Sequence, residues 1–377
     1  MKVTLGSVAS YINGFAFKPT DWSTCGLKII RIQNLTNPTS EANYYSGTYD
    51  LKYEVNRGDV LISWSASLGI YIWQDEKAVL NQHIFKVVFD KVSLNKKYFF
   101  YQVSYILKRA ESETHGATMK HLTRPVFNAL PFELPSMEQQ NFIANELDII
   151  ARLINAHKRQ LHLLDELVKS RFVEMFGDPV RNEKKWIKGN MQSICIRITD
   201  GEHGSVPRSE IGHPFLNAKH IKPDGAIDWK TTTFVANEVH EKIYRRCNPE
   251  TGDILVTTTG TIGNVAIVPD TEPFSMDRGI TLLKLQKEKI SSIFIAWLLK
   301  FNSIQEIMNA NIHASAIGHL FLNKVKQLPV IIPPLELQNE FSSFVIQVDK
   351  SRLLFKCQLL QYHNIEHIIR GRNYGEF

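Results

Sequence analysis

His363-Asn364-Ile365-Glu366-His367 sets two imidazoles and a carboxylate at the His-x-x-Glu-His spacing of one zinc peptidase class. On a helix the two histidines stand about one turn apart, so the chemistry would be zinc-assisted hydrolysis. That class takes a third, carboxylate ligand from further along, and only ten residues follow His367. Glu366 also falls on the apolar seam of a helix, and solvated polar positions on a helix surface are the better account. Pro223-Asp224 with Asp228-Trp229-Lys230 has the acids and lysine of a nuclease metal site. Its two parts stand too close together for the usual separated strands, so a turn is the default. There is no Gly-x-x-x-x-Gly-Lys-Ser/Thr run and no Gly-x-Gly-x-x-Gly after a strand, which argues against nucleotide and dinucleotide binding. The Asn-Pro-Pro-aromatic tetrapeptide of amino-methyltransferases is absent too, so methyl transfer by this chain is not expected.

What must position any site in this chain is a duplication. His121 to Asn141 and His319 to Asn339 align without a gap at a constant offset of 198. His-Leu, Leu-Pro, a further proline, and the Glu, Gln and Asn of Glu138, Gln140, Asn141 and Glu336, Gln338, Asn339 all repeat. Solenoid units run about 20 to 50 residues, so this period implies two whole domains of one kind. A second match sets Gly58-Asp59-Val60-Leu61-Ile62-Ser63-Trp64-Ser65-Ala66-Ser67-Leu68-Gly69 against Gly252-Asp253-Ile254-Leu255-Val256-Thr257-Thr258-Thr259-Gly260-Thr261-Ile262-Gly263. Both read as a turn, a β-branched strand, a hydroxyl-rich loop and a closing glycine. A third sets Asn81-Gln82-His83-Ile84 against Asp277-Arg278-Gly279-Ile280, and helical stretches are predicted over Tyr98–Arg109 and Ile293–Met308.

Beyond Pro135 and Pro334 the pattern changes. Ile143, Leu147, Ile150, Ile154, Leu161, Leu164, Val168 and Met175 keep the 4-3 spacing of a coiled-coil seam, interrupted by His157 and Arg171. Phe341, Val345, Val348, Phe355, Leu359, Tyr362 and Ile369 form the second seam, interrupted by Arg352 and Glu366. Prolines suit the helix starts, and Gly177-Asp178-Pro179 and Gly371 are predicted to end them. A helix of about 38 residues extends roughly 57 Å, too long for one small domain to cover, so the two seams are predicted to face each other. The expected fold is α+β: two mixed α/β domains separated by two long antiparallel helices that form a coiled-coil-like spacer, with a pseudo-two-fold internal repeat. The predicted boundaries are 1–136 and 186–334 for the mixed domains, 137–176 and 335–372 for the helices, 177–185 for a linker and 373–377 for a tail.

Composition is permissive. The 377 residues are 44% hydrophobic, and 44 Lys and Arg against 38 Asp and Glu give a formal net charge of +6, which allows contact with phosphates without demonstrating it. Cys25, Cys195, Cys247 and Cys357 stand far apart, which suits thiols in a reducing compartment. With no long apolar run and no apolar core behind Met1, a cytoplasmic protein without a membrane span is expected.

The order domain, long helix, domain, long helix resembles the specificity subunit of type I restriction-modification enzymes, and the resemblance covers essentially the whole chain. Its most characteristic stretch is Leu164-Asp165-Glu166-Leu167-Val168-Lys169-Ser170-Arg171-Phe172-Val173-Glu174-Met175-Phe176-Gly177-Asp178, together with the Leu-Pro and Pro-x-x-Glu-x-Gln segments entering both helices and the Gly-Asp-Val/Ile-Leu strands. The resemblance implies two target recognition domains, each reading one half of a split, asymmetric sequence on double-stranded DNA. It also implies helices that set the gap and dock two modification (methyltransferase) subunits, alongside restriction subunits. The chain itself would be non-catalytic and hold no cofactor; S-adenosylmethionine, ATP and Mg would belong to the partner subunits.

Base edges are read by polar side chains on loops, and heads that read different half-sites should differ at matching positions. In the first head the candidates are Ser63, Trp64, Ser65, Ser67, His83, Arg109, His115, Thr118, Lys120 and Arg124. In the second they are His203, Lys219, Thr257, Thr258, Thr259, Thr261, Arg278, His313, Ser315 and His319. His121 and His319, being repeated, suit a shared structural task better than base reading. Partner docking is expected of Glu138, Gln140, Phe172, Phe176, Glu336 and Gln338, with a purely internal packing role equally open for Phe172 and Phe176. The competing readings are a zinc-dependent hydrolase built on His363, Glu366 and His367, and a two-headed adaptor that binds no DNA.

Overall fold

A computed structural model of the chain describes residues 1–37, 39–113, 122–313 and 318–374, apart from the side chains of 112, 113, 367, 368 and 370–374. Two compact units divide it: residues 159–356 form one, and residues 1–158 with 357–377 form the other. The mixed domains are therefore not set apart from the helices, because each unit takes in part of both.

The first unit begins with β1 (Lys2–Thr4), α1 (Leu5–Val8), β2 (Ser10–Asn13), β3 (Leu27–Ile30), α2 (Ile32–Thr36), β4 (Asn43–Tyr45) and β5 (Glu54–Val55). It continues through β6 (Val60–Ser63), β7 (Gly69–Ile72), β8 (Ala78–Leu80), β9 (Ile84–Val88), α3 (Lys96–Glu113), α4 (Arg124–Ala129), β10 (Pro131–Glu133) and the first part of α5 (Met137–Phe176). Two four-stranded sheets run in the orders β2-β9-β6-β7 and β4-β3-β8-β5, and β1 pairs with β10. The run Val60-Leu61-Ile62 is apolar throughout because both of its faces are covered. Val60 and Ile62 pack with Phe85 and the α3 residues Tyr98, Phe99 and Val103, while Leu61 packs with Ile30 and Leu80 of the other sheet.

The second unit repeats this plan with β11 (Ile187–Asn190), α6 (Met191–Ile194), β12 (Cys195–Asp200), β13 (His213–Leu216), β14 (Thr233–Val235), α7 (Asn237–Arg246), β15 (Ile254–Thr257), β16 (Val265–Ile267), β17 (Ser275–Met276) and β18 (Ile280–Leu285). Then come α8 (Ser292–Leu299), α9 (Asn302–Ala310), α10 (Leu322–Lys326), β19 (Pro329–Ile332) and the first part of α11 (Leu335–Tyr374), whose residues from Cys357 on belong to the first unit. Its sheets, β12-β18-β15-β16, β14-β13-β17 and β11-β19, follow the first unit's strand orders except that β5 has no counterpart, and each unit has one parallel contact, β3 with β8 and β13 with β17. Between β14 and β15 stands the ten-residue α7, where the first unit has only a short turn and β5. A glycine marks the same close approach in both units. A Cβ on Gly14 would lie 2.1 Å from the Asn81 carbonyl oxygen, and one on Gly201 would lie 2.2 Å from that of Met276.

The seams are buried at Ile143, Leu147, Ile150, Ile154, Val168, Met175, Phe341, Val345 and Val348, and half-buried at Leu161, Leu164, Phe355, Leu359, Tyr362 and Ile369. In the second unit Val168, Phe172 and Met175 of α5 share one core with Phe341, Val345 and Val348 of α11. Arg171 reaches Glu340 at 2.9 Å and Arg352 reaches Asp165 at 2.6 Å, so rising numbers on one helix meet falling numbers on the other and the pair is antiparallel. In the first unit His157 Nε2 bonds Gln358 Oε1 at 2.9 Å and its ring lies 5.3 Å from that of Tyr362. Farther along, Ile369 packs on the cluster that holds Ile143 and Leu147, so the helices again run opposite ways. The residues that break the apolar pattern at His157, Arg171 and Arg352 are thus polar links across the pair.

Two expectations are corrected. The stretch 293–308 is two helices, because the chain is extended at Phe301 and its ring is drawn to within 5.5 Å of Phe172. Gly371 does not end α11, which runs on to Tyr374; a single glycine costs a helix only about 1 kcal/mol. Gly177 does end α5, at φ +75°.

Candidate nucleic-acid interface

In the first unit β2 and β6 both run antiparallel to β9, so the ends of β2 and β6 meet the start of β9 at one sheet edge. The loops there are bonded to one another. Trp64 N–H donates to His83 O (3.3 Å), Leu122 N–H to Trp64 O (3.0 Å) and Gln82 N–H to Phe15 O (2.8 Å). The second unit makes the same bonds with different residues: Thr258 N–H to Gly279 O (2.8 Å), Leu320 N–H to Thr258 O (2.9 Å) and Arg278 N–H to Glu202 O (3.0 Å). One backbone frame thus carries two sets of side chains.

The loop after the central strand is closed from within. Ser63 Oγ donates to Ser67 O and Thr257 Oγ1 donates to Thr261 O, while Ala66 and Gly260 take φ of +61° and +72°. Ser63, Thr257 and Thr258 are buried, which corrects the expectation that they face DNA: in Ser63 and Thr257 the strand's alternation turns the hydroxyl inward to hold the loop. Ser67, Arg109, Arg124, His203, Lys219, Thr261, Arg278 and His313 are exposed, and Trp64, Ser65, His83, Thr259 and His319 are half-buried. His115, Thr118, Lys120, His121 and Ser315 lie outside the described residues.

Side chains at the first edge are aromatic and amphipathic. Trp64 stacks on Phe85 at 5.6 Å, meets His83 edge-on at 5.0 Å and donates Nε1–H to Asn13 Oδ1 at 3.2 Å. His83 holds φ +71°, and its buried Nδ1 has no hydrogen-bond partner among the described residues. Arg124 donates to Tyr11 O at 2.9 Å, which ties the start of α4 to the same edge.

The second edge is more ionic. Asp200 pairs with His203 at 2.8 Å and with Arg246 at 3.4 Å, and Arg246 also lies 3.9 Å from Glu202. Burial pushes the Asp277 carboxyl up, against the Gly279 N–H that donates to it at 2.9 Å. Burial, with the nearby Arg278 charge, holds His319 below the ordinary imidazole range, and its Nδ1 meets Thr259 Oγ1 at 2.7 Å. A histidine so engaged fits the structural task that its repetition suggested.

Phe15 and Glu202 escaped the sequence reading. They occupy one place in the frame, differ completely in side chain, and Phe15 is 44% exposed. Numbering hid the match: their spacing is neither that of the His121 alignment nor that of the strand pair, because the connections between matched strands differ in length.

The docking expectations separate by burial. Phe172 and Phe176 are corrected: Phe172 stacks on Phe294 and meets Phe341 edge-on, and Phe176 meets both edge-on, inside the second unit's core where no partner can reach them. Gln140 and Gln338 are corrected likewise, being buried in bonds within the chain. Glu138 and Glu336 remain exposed in the first turns of their helices, where negative charge suits the helix dipole. Large apolar side chains instead stand exposed on the long helices: Phe142 and Leu360 in the first unit, and Leu163, Leu167, Leu353 and Leu354 in the second.

The hydrolytic alternatives find no support in the geometry. Among the described residues no group of three or more His, Cys, Asp or Glu is placed to hold a metal, and His363 Nδ1 donates to Leu359 O at 2.7 Å. The side chain of His367 lies outside the described residues. Asp224 and Asp228 are turn residues, accepting from Ala226 N–H and from Thr231 Oγ1. No described helix is long and apolar enough to cross a membrane.

Comparison with known proteins agrees with this architecture. A sequence family described as the type I restriction modification DNA specificity domain matches the chain over residues 1–165 and 209–361. The type I restriction enzyme EcoBI specificity subunit of Escherichia coli is 24% identical, covering 92% of this chain and 79% of its own length. The MjaVIII specificity subunit of Methanocaldococcus jannaschii is 22% identical over 78% of this chain and 73% of its own. In fold, the chain is similar to the crystal structure of a type I restriction-modification system S subunit from M. genitalium, with a TM-score of 0.58 at 16% identity, covering 100% of this chain and 96% of that one. A structure from a study of complex assembly in the type I system gives a TM-score of 0.56 at 14% identity, covering 100% and 98%. With a matching segment in each half, a duplicated sheet edge and two long helices, the chain belongs to the family of type I restriction-modification DNA specificity subunits.

Proposed function

We propose that each sheet edge reads one half of a split, asymmetric sequence in double-stranded DNA, and that α5 and α11 set the gap between the halves. The observation that carries this reading is the shared loop frame with unlike side chains: Trp64, His83 and Phe15 in one head stand where Thr258, Gly279 and Glu202 stand in the other. Identical frames dock alike, while different donors, acceptors and apolar groups select different bases. Beside Trp64, His83, Phe15 and Glu202 of that frame, Ser65, Ser67, Arg109 and Arg124 in the first head, and His203, Lys219, Thr259, Thr261, Arg278 and His313 in the second, are the described residues proposed to meet DNA. Two 40-residue helices extend about 60 Å each, one to two turns of B-DNA at roughly 34 Å per turn.

In this reading the chain supplies the address and no bond-making step. Two modification subunits using S-adenosylmethionine, and restriction subunits using ATP and Mg, perform the chemistry. The exposed apolar residues of the long helices, with Glu138 and Glu336, offer the surface on which modification subunits dock.

The test is to express the chain with modification subunits encoded beside it and to sequence N6-methyladenine in the host DNA. A single two-part motif with a fixed gap is expected, along with binding that weakens steeply as salt rises. Methylation of one continuous motif, or salt-insensitive binding to protein alone, would overturn the proposal.

A further inference from the structure

Each long helix opens with a buried glutamine, four residues in. Gln140 is 1% exposed and Gln338 is wholly buried. In the first unit Gln140 Oε1 accepts from Asn95 N–H at 2.9 Å, and its Nε2 donates to Pro135 O at 3.0 Å. In the second, Gln338 Oε1 accepts from Ser291 N–H at 2.9 Å, and its Nε2 donates to Pro333 O at 2.8 Å. Asn95 and Ser291 are the residues just before α3 and α8. Asn95 Oδ1 accepts from Lys97 N–H and Tyr98 N–H, and Ser291 Oγ from Phe294 N–H. A second bond joins the same elements in each unit, Asn95 to Asn141 at 2.7 Å and Ser291 to Ser342 at 2.7 Å.

One carboxamide therefore ties together three pieces of backbone: the start of the head's main helix, the proline that leaves the head, and the first turn of the long helix. The task needs a neutral side chain with one acceptor and one donor at that reach. Glutamate would bury a charge against a carbonyl, and methionine would leave a buried N–H and a buried C=O without partners. Around the two glutamines the neighbours differ, Asn95 and Asn141 against Ser291 and Ser342, yet the joint is the same.

We propose that Gln140 and Gln338 are positioning residues that lock each head at one angle to its long helix and thereby confine the protein to one gap length between half-sites. The inference rests on the two-part DNA reading above. The variants Gln140→Met and Gln338→Met, with Gln140→Glu and Gln338→Glu as a second pair that keeps the acceptor, are purified as complexes with the modification subunits. Each complex methylates a DNA library in which both half-sites are constant and the gap changes one base pair at a time, and thermal unfolding is followed on the same samples. The wild type is expected to methylate at one gap. Either methionine variant should lose about tenfold of its discrimination against gaps one pair longer or shorter, with the half-sites unchanged and the glutamate variants intermediate.

Variants that keep the wild-type gap discrimination overturn the lock. So do variants that lose methylation at every gap in parallel with folded protein, which is what a packing role alone gives. If the methionine variants do not fold, the glutamate variants are judged by the same two outcomes. A wild-type complex that methylates no two-part motif removes the reading beneath the proposal as well, so the two failures are told apart by the wild-type lane.

Discussion

Ser63 and Thr257 make the same bond at the same place in two loops, each turning a hydroxyl back to the carbonyl four residues on. They were legible as a matched pair of hydroxyls, but not as inward-facing ones, because a run of hydroxyl residues does not reveal where strand alternation stops and the loop begins. Ser63→Ala is expected to cost about 1 kcal/mol by chemical denaturation, the usual worth of one internal hydrogen bond, and Thr257→Val about 2 kcal/mol, because Thr257 Oγ1 also accepts from Asn264 N–H at 2.9 Å; both should leave the methylated motif unchanged. A changed motif would return them to the DNA surface. Phe15 and Glu202 were illegible for the opposite reason: nothing in an isolated phenylalanine or glutamate marks it as a loop-edge residue until the sheet brings it beside Gln82 or Arg278.

At the scale of the element, the helices were the clearest part of the chain. The 4-3 spacing located both seams, and its polar breaks are the cross-helix links of His157, Arg171 and Arg352. Periodicity could not tell whether Phe172 and Phe176 serve the pair or a visitor; only the placement of Phe294 and Phe341 around them decides it. Phe172→Ala should therefore destabilise the protein by about 3–5 kcal/mol, seen as early unfolding of residues 159–356 by hydrogen exchange. Loss of partner binding at full stability would contradict this. Lengthening or shortening both helices by matched insertions or deletions, including the stretch from Asp148 to Lys169, should shift the gap in the methylated motif and spare both half-sites. An unchanged gap would sink the spacer role.

For the molecule as a whole, the internal repeat announced two domains, and the strand orders β2-β9-β6-β7 and β12-β18-β15-β16 are that repeat in three dimensions. Exchange of residues 1–135 for the corresponding segment of another family member should change one half-site only. A simultaneous change in both would mean that the heads do not read independently. What the repeat did not announce is that the compact units cut across the long helices, because local spacing carries no signal of which distant segment will complete a core.

The first unit is made of two pieces of chain with the whole of the second unit between them in sequence. A ribosome therefore releases its opening 158 residues long before the strand of chain that completes them. The domain made first is finished last, and until the ribosome has passed Ile369 the nascent chain carries an apolar stripe through Ile143 and Leu147 that lacks its last partner, a ready target for chaperones during synthesis.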